Sequence, residues 1–149
     1  MANVCEYKMI VKGKRNGCYA FYGSTSNFGG KKLDSWEGPD ENGTLKFHGD
    51  CKWAIDSYCT PYSGEKPVKL PEDYNEALQE GEDCYWYNTV RERSEMFQVE
   101  VQYVWADTDD YDPETGPDNV YEHYKNGEEC PDCYSEDFPE ELRIKDEWY

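Results

Sequence analysis

Apolar and polar residues alternate most regularly along residues 96–107, where the sequence reads MFQVEVQYVWAD. Every second position of this stretch is apolar. The apolar positions are Phe97, Val99, Val101, Tyr103 and Trp105. A period of two residues places these side chains on one face of an extended chain. The pattern therefore predicts a strand with one buried face.

A similar alternation runs on both sides of the dipeptide Asn16-Gly17. The apolar positions before and after it are Tyr7, Met9, Val11, Tyr19 and Phe21. Asn-Gly is a favoured two-residue hairpin turn, because both residues accept a positive φ. The sequence therefore predicts a β-hairpin near the start of the chain.

Residues 71–96 are predicted to be helical in two pieces. Pro71 and the two acids that follow it suit the first turn of a helix, where negative charge is favourable. Gly81 is predicted to separate the pieces, and in the second piece Val90 and Phe97 fall near helical spacing.

Further strands are predicted around Leu33–Trp36, near Leu45 and Phe47, and at residues 119–128 after a turn rich in Pro, Gly and Asp. His48 alternates away from Phe47 and is expected on the exposed face. The order of strands, helix and strands predicts an α+β fold, with an antiparallel sheet and one or two helices on one face.

Charge distinguishes the end of the chain from the rest. The protein carries 33 acidic and 15 basic residues, a net charge of −18. Residues 106–149 hold 16 acids and three cations (Lys125, Arg143 and Lys145), a net charge of −13.

The aromatic content of 16% can build a core despite a hydrophobic content of only 37%. We therefore expect residues 1–149 to form one domain, with 106–149 as an acidic C-terminal segment packed on it or extending from it.

The sequence also indicates the cellular compartment of the protein. It has no run of about 18 apolar residues, so it predicts no membrane span. The start, MANVCEYKMIVKGK, lacks the apolar region of a secretory signal. We therefore expect a cytoplasmic protein whose seven cysteines are free thiols.

The acidic charge is comparable with that of DNA. A compact domain of this length is roughly 38 Å across, and duplex DNA of that length carries about 22 phosphates. Aromatic residues interleave with the acids and would add anchors at an interface. The simpler interpretation is a solvated acidic surface. The predicted partner-binding residues are Asp107, Asp109, Asp110, Asp112, Glu114, Asp118, Glu128, Glu129, Asp132, Glu136, Asp137, Tyr111 and Tyr134.

Catalytic and metal-binding signals are sparse. Cys130 and Cys133 have CxxC spacing, but zinc needs four ligands and no second tight pair is present. The acidic residues 107–118 lack the glycine that a calcium loop needs at its sixth position. No nucleophile or acid–base pair stands out. We therefore expect no enzyme activity, no cofactor and no metal, with zinc at Cys130 and Cys133 as the alternative.

The segments FHGDCKWAIDSY, FQVEVQYVWAD and YEHYKNGE, with a helix between the first two, resemble the ferredoxin-like domain of small YubB-like proteins. Those proteins are carried on plasmids and phages. The resemblance covers roughly residues 44–128. It implies a ferredoxin-like fold and a mobile-element setting, and it implies no reaction.

Charge and resemblance together predict an acidic inhibitor or decoy of a phage or mobile element. It would occlude the basic nucleic-acid-binding groove of a host defence protein, for instance a nuclease, as anti-CRISPR and anti-restriction proteins of the DNA-mimic kind do. It would not bind nucleic acid itself. The alternatives are a generic protein–protein interaction module with an acidic solvated surface, and the small zinc protein.

Overall fold

The computed structural model of the chain describes residues 4–25, 29–52, 70–84, 89–107 and 118–145. The elements are β1 (Val4–Gly13), α1 (Arg15–Ser24), β2 (Lys31–Glu37), β3 (Gly43–Lys52), α2 (Tyr74–Cys84), α3 (Val90–Met96), β4 (Glu100–Asp107), β5 (Val120–Lys125), β6 (Glu128–Glu129) and a 3₁₀ helix at Glu140–Leu142.

The strands form one six-stranded sheet in the order β2-β3-β1-β4-β5-β6, and every neighbouring pair is antiparallel. Helix α1 connects β1 to β2, while α2 and α3 lie between β3 and β4 in the chain. The predicted α+β class with an antiparallel sheet is confirmed. No helix within the described ranges is long and apolar enough to cross a membrane.

The predicted hairpin at Asn16-Gly17 is wrong, because these two residues lie in the first turn of α1. The residues from Cys18 to Phe21 are all buried, since α1 is covered on one side by the sheet and on the other by α2. Gly17 does not form a turn but lets the backbone of α1 pack closely against Phe97, because a Cβ at Gly17 would lie 2.7 Å from the Phe97 carbonyl oxygen.

The described part of the chain therefore has three α-helices, where the sequence predicted one or two. Side chains from all three join one hydrophobic cluster with one face of the sheet. We call this face the helix side. The cluster contains Tyr7, Met9 and Val11 of β1, Leu45 and Phe47 of β3, and Val101 and Tyr103 of β4.

Gly81 does not separate two helices as predicted. It lies inside α2, and a Cβ there would be 2.0 Å from the carbonyl oxygen of Ala20. A glycine lets the backbones of α1 and α2 approach this closely. The two predicted helical pieces are nevertheless present as α2 and α3. Helix α3 begins with a capping box, in which Thr89 accepts from the Glu92 backbone and Glu92 bonds back to Thr89.

The opposite face of the sheet, which we call the open side, carries a second cluster. Its buried residues are Ile10, Val104, Ala106, Tyr121, Leu142 and Ile144. Phe138 packs against this cluster and stacks on Tyr121, with ring centroids 5.5 Å apart. Burying a Leu or Ile side chain contributes about 1.5–3 kcal/mol each, so Leu142 and Ile144 hold the C-terminal segment on the sheet.

Polar contacts fix the same segment. Asn119, just before β5, forms two hydrogen bonds with the backbone of Ile144, at 3.1 and 2.7 Å. The Nζ atom of Lys8 donates to the carbonyl oxygen of Arg143 at 3.0 Å. The described end of the acidic C-terminal segment is therefore packed on the sheet.

Candidate interaction surface

The outer edge of the sheet is built by β5 and the chain that follows it. Asn126 and Gly127 adopt positive φ angles of 50° and 82° and turn the chain back into β6. Beyond β6, the backbone nitrogen of Cys130 donates to the carbonyl oxygen of His123 at 2.9 Å, and that of Tyr134 donates to the carbonyl oxygen of Tyr121 at 2.8 Å. The chain at 128–134 thus follows the outer side of β5.

Helix α3 holds the turn at the start of this edge. The Nε atom of Arg91 donates to the carbonyl oxygen of Gly127 at 2.7 Å. The backbone nitrogen of Gly127 donates to Ser94 Oγ at 2.9 Å. A Cβ at Gly127 would lie 2.7 Å from a carboxylate oxygen of Glu95, so there is no room for a side chain. The positive φ of this residue also favours glycine.

Glu122 fixes the edge from the helix side of the sheet. Only 7% of this residue is exposed, and its carboxylate accepts four hydrogen bonds. The donors are Tyr103 (2.8 Å), Trp105 Nε1 (2.8 Å), Tyr124 (2.6 Å) and Tyr134 (3.1 Å). An ionised carboxylate has about four acceptor positions, so this one is fully used. Burial and the bond to Glu122 raise the pKa of Tyr124, which keeps its hydroxyl protonated as a donor.

His123 fixes the edge from the open side. Its Nε2 atom lies 2.6 Å from a Glu100 oxygen, and its Nδ1 atom lies 2.7 Å from an Asp132 oxygen. The hydroxyl of Tyr121 donates to the other Asp132 oxygen at 2.8 Å and accepts from Gln102 at 3.0 Å. Partial burial raises the pKa of Asp132, but the hydrogen bonds from Tyr121 and His123 outweigh it and lower the pKa below its ordinary value.

Exposed acids line this edge. Five of them are Glu128, Glu129, Asp132, Glu136 and Asp137, and we call these five residues the acidic edge. Asp132 is tied to Tyr121 and His123. The other four, and Asp118 before β5, form no ion pair with any described residue.

Several acids elsewhere in the described ranges do have partners. Asp40 pairs with Arg15 at 3.2 Å, and Asp34 pairs with His48 at 2.8 Å. On the open side, Glu141 pairs with Lys46 at 2.9 Å. Apart from Asp132, which His123 contacts, the carboxylates of the acidic edge are therefore concentrated locally without an ion pair to any described residue.

The predicted partner-binding residues do not all gather there. Asp107 ends β4 and is half-buried, and Asp118 is exposed ahead of β5. Five predicted residues lie outside the described ranges: Asp109, Asp110, Tyr111, Asp112 and Glu114.

Tyr134 is the exposed aromatic residue of this surface. It is 60% exposed, and no other large hydrophobic residue is exposed among those whose side chains the structure describes. Its φ is 68°, a left-handed backbone angle that bulky residues rarely adopt. The sequence pattern gave no sign of this conformation, which follows from contacts with β5.

Cys5, Cys18, Cys51, Cys130 and Cys133 are free thiols, and no group of three or more possible metal ligands occurs among the described residues. Burial, with Glu100 and Asp132 nearby, raises the pKa of Cys130. Burial likewise raises the pKa of Cys133, whose sulfur accepts from the His123 backbone at 3.4 Å. A raised thiol pKa disfavours the thiolate that metal binding and redox chemistry need.

A separate groove of about 780 Å³ lies on the open side, between β1, β2, β3 and the C-terminal segment. On its floor His48 is the register partner of Lys8 on one side and of Lys32 on the other. His48 is exposed, as the alternation with Phe47 predicted. Its pairing with Asp34, together with other carboxylates in the lining, leaves the groove close to neutral.

No protein-family model, no curated protein and no solved structure matches this chain.

Proposed function

We propose that this chain is an acidic binding protein that occludes the basic nucleic-acid-binding groove of another protein. Inhibitors of the anti-CRISPR and anti-restriction kind that mimic DNA act in this way. The observation that carries the proposal is the acidic edge, where Glu128, Glu129, Glu136 and Asp137 are exposed and form no ion pair with any described residue.

Carboxylates of this kind suit a cationic partner. Hydrogen bonds between a carboxylate and Arg or Lys are about twice as strong as neutral ones. Acids without an internal cation can pair with a partner without first breaking a bond inside the protein. The net charge of −18 adds long-range attraction to a basic groove, which accelerates encounter at low salt.

The edge is also ordered before any partner binds. Glu122 holds it from the helix side and His123 from the open side. A surface that is already fixed loses less conformational entropy on binding, which favours affinity. The two networks therefore support a role for the acidic edge as a preformed binding surface.

We also propose that β1 to β4, with α1 to α3, form a ferredoxin-like core. The β-α-β-β-α-α-β order, with four antiparallel strands arranged 2-3-1-4, supports it. In this interpretation β5, β6 and residues 130–145 are an addition that carries the acidic edge. The proposed core therefore includes β1 and excludes β5, unlike residues 44–128 of the sequence resemblance. An origin in a phage or other mobile element rests on the sequence resemblance alone.

A second candidate is a protein–protein interaction module whose acids serve another purpose. Strand β6 has only two residues and lies at the edge of the sheet. Short edge strands and charged side chains block unwanted strand pairing between molecules. In that case binding would depend on aromatic contacts and change little with salt.

Capture from a bacterial lysate separates the two candidates. The tagged protein is incubated at low and high salt, with and without duplex DNA, and bound proteins are identified by mass spectrometry. The proposal predicts a nucleic-acid-binding protein that is released by high salt, because exposed charges are screened, and by DNA. A partner retained under both conditions would contradict the proposal and favour the interaction module.

A further inference from the structure

Two buried cysteines lie directly opposite each other on neighbouring strands. Cys5 of β1 is the register partner of Cys51 of β3 in an antiparallel ladder. Both residues are 0% exposed, and both belong to the hydrophobic cluster on the helix side of the sheet. Their side chains therefore leave the same face of the sheet from opposite positions. Both are thiols in this structure.

The spacing of the two strands suits a disulfide. Directly opposite residues of an antiparallel pair have Cα atoms about 4.5–5.5 Å apart. Cysteines joined by a disulfide usually have Cα atoms about 4.4–6.8 Å apart. A bond between Cys5 and Cys51 can therefore form without a change in the register of the strands.

The pair also lies next to the end of its ladder. One further pair, Val4 with Lys52, ends the ladder between β1 and β3 as the structure describes it. On the other side of β1, Cys5 pairs with Asp107, the last residue of β4. The ends of strands open at a lower free-energy cost than the middle of a sheet. Local opening here exposes both thiols to a small oxidant while the centre of the sheet stays folded.

We propose that Cys5 and Cys51 are a modification site, at which a low-molecular-weight disulfide such as oxidised glutathione generates a cross-strand disulfide bond. The acidic edge plays no part in this reaction, so the inference stands apart from the proposed function. Disulfides that form in reducing compartments are usually transient and redox-sensing. A thiol pair that is already held in position to react fits such a role.

The reaction is a thiol–disulfide exchange in two steps. The thiolate of one cysteine attacks a sulfur of oxidised glutathione, which forms a mixed disulfide and releases one glutathione thiolate. The thiolate of the other cysteine then attacks the protein sulfur of the mixed disulfide and releases the second glutathione. The two protein thiols lose two electrons and two protons, and these convert oxidised glutathione into two molecules of its thiol.

Cys18 provides an internal comparison. It is also 0% exposed, but it lies in α1, and its thiol donates to the carbonyl oxygen of Val11 at 3.7 Å. Burial raises the pKa of Cys18 to about 12, which disfavours the thiolate that exchange requires. We therefore expect Cys18 to remain unmodified under conditions in which Cys5 and Cys51 react.

The bond would close a loop of about 45 residues that contains α1, β2 and most of β3. A disulfide that closes a loop of this length stabilises a protein by restricting its unfolded chain. Strand β1 lies between β3 and β4 in the sheet, so the bond ties a central strand to its neighbour. The oxidised protein should therefore resist heat better than the reduced protein.

Peptide mapping tests the proposal directly. The folded wild-type protein is equilibrated with oxidised glutathione, its remaining thiols are blocked with N-ethylmaleimide in urea, and it is digested with trypsin without reduction. Trypsin places Cys5 in the peptide of residues 1–8 and Cys51 in the peptide of residues 47–52, each with one cysteine. We expect mass spectrometry to recover most of these two peptides as one disulfide-linked species, with Cys18 blocked by N-ethylmaleimide.

Two variants separate the bond from the general effect of a lost thiol. C51A cannot form the bond, whereas the control C18A removes a buried thiol of the same size and keeps the pair. Oxidation should raise the melting temperature of wild type and C18A by about 5 °C or more, and that of C51A little. Dithiothreitol should reverse the shift, and circular dichroism of the reduced proteins establishes that each variant is folded.

Recovery of the two peptides unlinked, each blocked by N-ethylmaleimide or carrying glutathione, would overturn the proposal. A linked species no more abundant than in protein oxidised in urea would also overturn it, because the folded arrangement would then contribute nothing. The same holds for an equal rise in the melting temperature of C51A. The peptide map of the wild-type protein decides the question even if C51A does not fold.

Discussion

The hydroxyl of Tyr134 donates a hydrogen bond to the carboxylate of Glu122 over 3.1 Å. This bond connects an aromatic residue that is 60% exposed with a carboxylate that is 7% exposed. It links the surface of the acidic edge to the interior of the sheet. The acids of the edge are therefore carried on a chain segment whose position is determined by β5.

Glu122 should be essential to this arrangement. In E122L all four donors lose their acceptor. The indole nitrogen of Trp105 can only donate, so it is left without a hydrogen-bond partner. We expect the free energy of unfolding to fall by about 2–4 kcal/mol, measured by urea denaturation. E122Q should be milder, because the tyrosine hydroxyls can accept from its amide. Equal stability of E122L and the wild-type protein would show that the network contributes nothing.

Gly81 should tolerate no side chain. In G81A the new Cβ would lie 2.0 Å from the carbonyl oxygen of Ala20, so α1 and α2 must move apart. We expect a loss of about 3 kcal/mol or more, since the obstacle is backbone and not a flexible side chain. The control is N75A on the exposed surface of α2, expected within about 0.5 kcal/mol of wild type. A melting temperature for G81A equal to that of N75A would contradict the close helix contact.

Stability should depend on the ionisation of Asp132 at acidic pH. Its folded pKa is lowered from the ordinary 3.8 by Tyr121 and His123, against partial burial. Its contribution is therefore fully present above the unfolded pKa and is lost as pH falls through the folded pKa. Urea midpoints measured from neutral pH down to about pH 2.5 should fall less steeply for D132N than for wild type. Parallel curves would show that Asp132 is not held by these bonds.

The sequence predicted the strands better than the helices. The returning strand predicted at 119–128 is present as β5, but it ends at Lys125, because Asn126 and Gly127 turn the chain back into the unpredicted β6. The alternation along 96–107 marks β4. Phe97, however, ends α3, and β4 begins only at Glu100. Alternation also missed Val104, which is buried on the open side because the C-terminal segment covers it.

Helix α1 was mistaken for a strand for a physical reason. Tyr19 and Phe21 fit a period of two, but Cys18 and Ala20 between them are buried as well. A short helix enclosed on several sides has no polar stripe, so periodicity cannot distinguish it from a strand. The Asn16-Gly17 signal was misleading because Gly17 serves the contact with Phe97.

The candidate site was predictable in composition but not in geometry. The sequence indicated an excess of acids after residue 106 and included Tyr134 among the contacts. It could not separate the buried Glu122 from the exposed acids, nor show that Asp132 bonds to His123. Those distinctions depend on which face of β5 each residue takes, and on chain segments that meet only after folding.

We propose that the acidic edge itself, and not the overall charge, binds a basic groove. Two variants with the same change in charge separate these possibilities. E128Q/E129Q/E136Q neutralises the edge, and E37Q/E41Q/E76Q neutralises three exposed acids elsewhere. Both should remain folded, since exposed substitutions change stability by about 0.5 kcal/mol or less each.

The most direct measurement is the affinity of each variant for the partner that duplex DNA displaces from the wild-type protein. We predict that the edge variant loses affinity by more than about tenfold, because three charge-assisted contacts are removed, while the control variant stays within about threefold of wild type. Equal losses in the two variants, or full affinity of the edge variant, would contradict the account.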